Sequence, residues 1–292
     1  MTRPLRAITF TLSLLALLAI AGCSTGLKLA YDNLERLALW EIDDYVDLDD
    51  PQKALFRKEF KALHIWHRQS QLPLYAADLR SLAAVVDTGA PLGNAATTTL
   101  RQADAHGERL WEQAKPGVER LLATLGDGQI ADYDVKQRRK FAEEAAERAD
   151  EALDDRRKRW LREWRNSMKR WLGTLNAQQT ALLEAGWNAQ IAHLREPAER
   201  AAVRLASHQR FIAGLSTGRK EPGLIARFTR EADAAEKALG DAAQARERAL
   251  IATLFDAADA QQRRRLKATL LELAGDFDAL AARGASVPAA AP

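Results

Sequence analysis

Six carboxylates fall within ten residues, at Glu41, Asp43, Asp44, Asp47, Asp49 and Asp50, a density that suggests a calcium loop. The spacing does not supply one, because no register combines the oxygen ligands, a central glycine and a glutamate at the twelfth position. The block reads instead as a solvated connection whose aspartates cap the next helix and favour its positive N-terminus. The sharper alternative is a cation or a basic partner met by Asp43, Asp44 and Asp47. His64 and His67 are three apart on a helix and share a face. Zinc needs a third ligand and usually a fourth, and His106, His193 and His208 stand alone in the sequence. No metal site and no cofactor are expected. Gly214-Leu215-Ser216-Thr217-Gly218 has the pattern of a hydrolase nucleophile turn, but that turn needs a strand before the serine. A helix through Leu205 to Ile212 precedes it here, so Gly214 and Gly218 read as helix-ending and loop glycines, and no catalytic residue is assigned.

Trp160, Trp164 and Trp171 fall within an arc of roughly 40° on one helix, among Arg156, Arg157, Arg159, Arg162 and Arg165. Aromatics among basic residues can bind nucleic acid or a membrane surface. The same helix carries Glu147, Glu151, Asp155 and Glu163, which suit i,i+4 ion pairing on a solvated face. Core packing of the indoles is therefore expected. A basic aromatic groove for an envelope ligand, with Arg157 at its edge, is the functional alternative. Nucleic acid is not an expected partner: Arg3 and Arg6 supply two of the three net positive charges, and the rest of the chain is almost balanced.

Helices must position these groups. Alanine, leucine, arginine and glutamate dominate the 292 residues and β-branched residues are sparse. Apolar spacing predicts helices over about 28–42, from Asp50-Pro51, from Pro73 to Asp87, and from Asn94 to Leu125 with a bend at Pro116. Residues 131–172 contain neither glycine nor proline before the final turn and predict the longest helix. Two more helices are divided at Pro197, and the last group starts after Pro222. No alternating strand or hairpin turn is found. The expectation is an all-α bundle of roughly eight to ten helices with one long central helix, spanning residues 23–284, and a flexible tail at 285–292.

A faint repeat joins Leu48-Asp49-Asp50-Pro51-Gln52, Leu175-Asn176-Ala177-Gln178-Gln179 and Ala258-Asp259-Ala260-Gln261-Gln262. In each, a short polar side chain can accept a helix amide while the glutamine reaches back, which is a capping box. The pattern resembles the Leu-Thr-x-x-Gln motif of small periplasmic stress chaperones, though any well-capped helix start looks similar.

The first 22 residues have the parts of an export signal: Arg3 and Arg6, an apolar stretch from Ile8 to Ile20 too short to span a bilayer, then Ala21-Gly22. Cys23 follows, and it is the one cysteine in the chain. Leu18-Ala19-Ile20-Ala21-Gly22-Cys23 resembles the lipobox of bacterial lipoproteins. That resemblance implies a lipid on the Cys23 sulfur, cleavage before it, acylation of the new amine, and an anchor strong in proportion to its buried methylenes. Ser24 after the cysteine implies transport to the periplasmic face of the outer membrane. The block from Tyr31 to Leu48, with Trp66-His67-Arg68 and Leu72-Pro73-Leu74-Tyr75, resembles a proteobacterial lipoprotein family known as domain of unknown function 6279. The distinctive match covers residues 23–80, and it implies lipid anchoring and a helical fold but no mechanism.

The reading is a lipid-anchored helical protein of the cell envelope with a non-enzymatic binding or accessory role, chaperone-like in one form. Its partners would be the membrane, through the lipid, and an envelope protein or peptide. An envelope enzyme with a composite site in a helical cleft and a structural subunit of an envelope complex are the alternatives.

Overall fold

A computed structural model describes residues 24–194, 196–230 and 234–285. The signal segment, Cys23 and the tail from 286 onward lie outside the described residues. Among the described residues the regular elements are helices and none is a strand. In chain order they are α1 (Ser24–Asp32), α2 (Leu34–Asp43), α3 (Asp50–Trp66), a π-turn (His67–Gln71), α4 (Leu72–Asp87), α5 (Gly93–Ala123), α6 (Asp127–Ala149), α7 (Leu153–Lys169), α8 (Ala177–Ile191), α9 (Pro197–Gly218), α10 (Leu224–Arg230), α11 (Ala234–Asp256) and α12 (Ala260–Ala285).

Four local readings of the sequence are corrected. The helix expected over 28–42 is two, parted at Asn33, whose side-chain amide donates to the Leu29 carbonyl at 2.7 Å. The pattern over 131–172 is also two helices, so the longest single helix is α5, not this one. The break needs neither glycine nor proline. Ala152 turns extended, and Glu151 draws the arginines of the following turn, its carbonyl accepting from Arg156 and its carboxylate from Arg159. Gly214 does not end a helix, since α9 runs on to Gly218, and Ser216 donates back to the Ile212 carbonyl as an ordinary helical serine. Pro73 opens no separate helix. The chain passes from α3 to α4 through the π-turn, whose Leu72 N–H reaches the His67 carbonyl five residues back. In a regular α-helix the Pro73 ring would press on the Gln69 carbonyl, and the wider turn relieves that clash.

Three antiparallel pairs organise the packing. Helices α4 and α12 are tied by Lys267 to Asp87 at 2.6 Å and by Arg80 to Asp278. Helices α6 and α9 are tied by His208 to Asp134 at 2.8 Å, and α5 and α11 by Arg248 to Asp104. The α5 start accepts help from across that last pair: Asp256 takes the Gly93 N–H at 2.7 Å. A Cβ at Gly93 would stand 2.5 Å from the Asp256 carboxylate and 2.9 Å from the Ala252 carbonyl, so glycine is needed there.

One core joins α4, α7, α8, α11 and α12 through Leu82, Leu161, Met168, Leu183, Leu254 and Leu266. A second sets Leu27 and Tyr31 of α1 against Leu72, Ala76, Phe277 and Leu280. A third closes around Leu48, Leu125, Ile130, Leu215 and Leu224.

The capping boxes are more than helix starts. Asp49 with Gln52, Asn176 with Gln179 and Asp259 with Gln262 each form both reciprocal bonds. A fourth start repeats half of the pattern: Gly126 has no side chain to cap with, but its N–H donates to Gln129 at 2.9 Å. The glutamines then pair across helices. The Gln52 and Gln129 amides donate to one another at 3.0 and 2.7 Å, and each also donates to a loop carbonyl of the other start. Gln262 donates to Gln179 at 2.8 Å, and Gln179 to the Leu254 carbonyl at 2.9 Å. Two clasps result, one between α3 and α6 and one between α8 and α12.

Candidate functional site

The densest convergence of chemistry-bearing side chains lies around the π-turn. The widened turn carries His67 and Gln71 into the interior, where both are buried, and π-turns inside helices recur at functional sites. The two nitrogens of His67 contact two tyrosines, Nδ1 at 2.8 Å from the Tyr31 hydroxyl and Nε2 at 3.1 Å from that of Tyr75. One ring nitrogen accepts a phenolic proton, and the other donates its N–H to the second phenolic oxygen. The Tyr75 ring lies edge-on to His106 at 4.6 Å. His106 places Nε2 2.6 Å from Asp78, while Arg109 donates to its Nδ1 and, at 3.5 Å, to Gln71 Oε1. With Nδ1 accepting from a guanidinium, the His106 proton sits on Nε2 and points at the Asp78 carboxylate.

Helix α1 closes this network from one side. Tyr31 packs on the His64 ring at 4.5 Å, with the Arg68 guanidinium 5.0 Å from its own ring centre. Asp32 bridges Arg68 at 2.7 Å and Arg283 at 2.9 Å, and Lys28 reaches the buried Asp276 at 2.9 Å.

Burial sets the electrostatics. It holds the His67 pKa down at about 4, aided by the positive charge of neighbouring His64 and Arg68. It holds His64 at about 4 in the same way, with Arg68 adding to the effect. Burial raises the Tyr31 phenol well above its usual value and pushes Tyr75 up to about 12. At neutral pH His67, Tyr31 and Tyr75 are therefore uncharged, and they exchange hydrogen bonds rather than protons.

These shifts predict a pH dependence. The unfolded chain protonates His67 near its ordinary value of 6.5, whereas the folded chain does so only near 4. Between those values the unfolded state binds more protons, so stability is present above 6.5 and falls as pH drops toward 4. At pH 5, His67 alone should remove about 2 kcal/mol relative to pH 8. Urea melts across this range should show the loss, and His67→Gln should flatten it. An unchanged slope in the variant would contradict the burial of a neutral imidazole.

The residues singled out from sequence are spread wider. Asp43 is exposed and 3.9 Å from Lys53. Asp44 lines an open groove of about 440 Å³ with Tyr45, Lys136 and Lys140. Asp47 contributes its backbone carbonyl to Gln129, and Asp49 caps α3. The block is thus divided among several tasks, and the described residues hold no group of three or more His, Cys, Asp or Glu placed for a metal ion. Trp160, Trp164 and Trp171 are half-buried and pack on the first core, whose deepest residues from this stretch are Leu161, Met168 and Leu172. Arg157 pairs with Glu184 at 2.7 Å. Sequence reasoning missed the partnership of His67 with His106 and Tyr31. It also missed Trp187, which is buried against Trp160 at 5.8 Å between ring centres.

No curated protein and no solved structure matches the chain. A family model described as a family of unknown function (DUF6279) matches residues 44–232. That span begins beyond most of the Tyr31–Leu48 block and runs far past residue 80, so it takes in His64, His67, Tyr75 and His106 but not Tyr31. Since it is well over half of the sequence, the protein belongs to the DUF6279 family of unknown function.

Proposed function

We propose that the protein is a lipid-anchored helical component of the cell envelope, held through Cys23 at the periplasmic face of the outer membrane, with a non-enzymatic binding or accessory role. The observation that carries this reading is the position and fastening of α1. It starts at Ser24, directly after the cysteine, and is locked to the body by Leu27, Tyr31, Lys28 and Asp32. A lipid at Cys23 would then hold the folded body itself, with no free linker between them. The imidazole–tyrosine network sits in that fastening as a neutral clasp. A general base works best with a pKa near the operating pH, and His67 lies far below it.

Replacing Cys23 with serine should move the protein out of the membrane fraction or leave the signal uncleaved. Normal maturation and membrane retention of that variant would defeat the anchoring. The accessory role divides by a second measurement. Suppression of aggregation of an unfolded envelope protein supports a chaperone-like binder, and a stoichiometric membrane partner supports a structural subunit.

One observation favours a second reading, an envelope enzyme with a composite site: His106, oriented by Asp78 and Arg109 beside Tyr75, has the geometry of a positioned imidazole. His106→Ala should leave the cellular role intact under the accessory reading. Loss of that role in a variant that folds normally would favour the enzyme.

A further inference from the structure

The seam between α6 and α9 changes character along its length. Near one end His208 and Asp134 close it, and further on Arg204 pairs with Glu144. Beyond that pair the antiparallel register brings arginine opposite arginine: Arg148 from α6 and Arg200 from α9, joined by Arg156 and Arg159 from α7. Carboxylates hold three of these five guanidinium groups. Glu144 holds Arg204, Glu196 lies 3.2 Å from Arg156, and Glu151 takes two bonds from Arg159 at 2.8 Å. Arg148 and Arg200 have no carboxylate within 4.0 Å among the described residues. Arg200 is partly desolvated and faces the other four arginines, and both effects lower its pKa from the usual arginine value.

Like charges gathered at a helix seam oppose packing, and breaches of a local rule concentrate where a ligand supplies what the fold leaves out. The planar guanidinium fork matches a phosphate through two parallel hydrogen bonds. Adjoining the arginines, Phe141, Ala142, Ala201, Ala202 and Leu205 line an open apolar groove of about 200 Å³, with Arg138 at its other rim. The Arg204 guanidinium stands 6.0 Å from the Phe141 ring centre, linking groove and charge.

We infer that this end of the α6–α9 seam binds a phosphate-bearing amphiphile, with the phosphate on Arg148 and Arg200 and the apolar part in the groove. The phosphate chemistry alone would suit a free phosphate too, and the groove is what favours a lipid headgroup carrying an acyl chain. The site lies within the family match, and it does not depend on a lipid at Cys23.

The test uses the full chain purified in a neutral maltoside detergent and titrated with dihexanoyl phosphatidic acid, dihexanoyl phosphatidylcholine and inorganic pyrophosphate. Phosphatidic acid should bind at least about tenfold more tightly than phosphatidylcholine, and Arg148→Ala with Arg200→Ala should remove about tenfold or more of that affinity. Ala202→Trp, which fills the groove, should weaken phosphatidic acid and leave pyrophosphate unchanged. Pyrophosphate binding as tightly as phosphatidic acid, with no effect of Ala202→Trp, would overturn the lipid and leave a free phosphate as the source. Equal binding of the two lipids, or indifference to the arginine variants, would overturn the site altogether. Melting without ligand gives an independent check. Removing two uncompensated charges should leave the melting temperature unchanged or higher, and a clear drop would make the arginines structural and overturn the proposal.

Discussion

Trp187→Ala should destabilise the fold by about 3–5 kcal/mol, the usual cost of deleting a buried large aromatic. Trp187 is 2% exposed, and its ring meets Trp160, which in turn meets Trp164 at 5.6 Å. The three indoles form a train running outward from the core, so the penalty should decline along it. Trp164 is half-buried at the outer end, and Trp164→Ala should cost only about 1–2 kcal/mol, in proportion to the smaller area it removes from water. The geometry behind the difference is helical: Leu161 and Met168 lie roughly 80° round α7 from the tryptophan arc and take the deepest positions. Urea unfolding of both variants checks the order. Equal penalties at the two positions would mean that the indoles are buried alike and that the half-exposed rim is wrong.

The second large effect lies in the glutamine clasps. Gln179 is fully buried, accepts from the Asn176 N–H and from Gln262, and donates to the Leu254 carbonyl. Gln179→Ala leaves that amide and that carbonyl without partners in a dry site, and it leaves a cavity as well. The expected cost is about 2–4 kcal/mol. Gln52 holds the matching place in the other clasp but lies in a partly solvated setting, so Gln52→Ala should cost less. A double-mutant cycle on Gln179 and Gln262 should give strong coupling, because their side chains share one bond. Additive penalties would show that the two capping boxes stand independently and that the clasp is only a coincidence of helix starts.

What could be read from the sequence follows the range of each interaction. Three capping boxes announce themselves within four residues, because both halves of the bond pattern are local. The fourth start lacks a capping side chain at Gly126, so its glutamine carries only half of the signature and went unnoticed. That the boxes pair across 77 and 83 residues leaves no trace in any window. The same holds for the candidate site. His64 and His67 show as neighbours, but His106 joins them only because α5 packs beside the π-turn, and Tyr31 only because α1 docks on the other side. The break at Asp150–Ala152 was hidden for a different reason. It is made by Glu151 drawing arginines of the next turn, and the same charge pattern also stabilises an unbroken helix. Pro73 was visible but misread, since proline marks a helix start far more often than a π-turn.

The π-turn also has a consequence for insertions and deletions. A π-turn amounts to one residue more than the α-helical ladder requires. Removing a residue between His67 and Gln71 would let the backbone close into regular helix at no local cost except the clash at Pro73. Everything beyond would then rotate by about 100° relative to α3. Leu72, Ala76, Leu82 and Ala83 would swing away from α12, and exposed Leu74 would turn toward it. The extra residue therefore works as a phase shifter. It lets one continuous rod present its inward face in two directions, toward α5 and α6 before the turn and toward α12 after it.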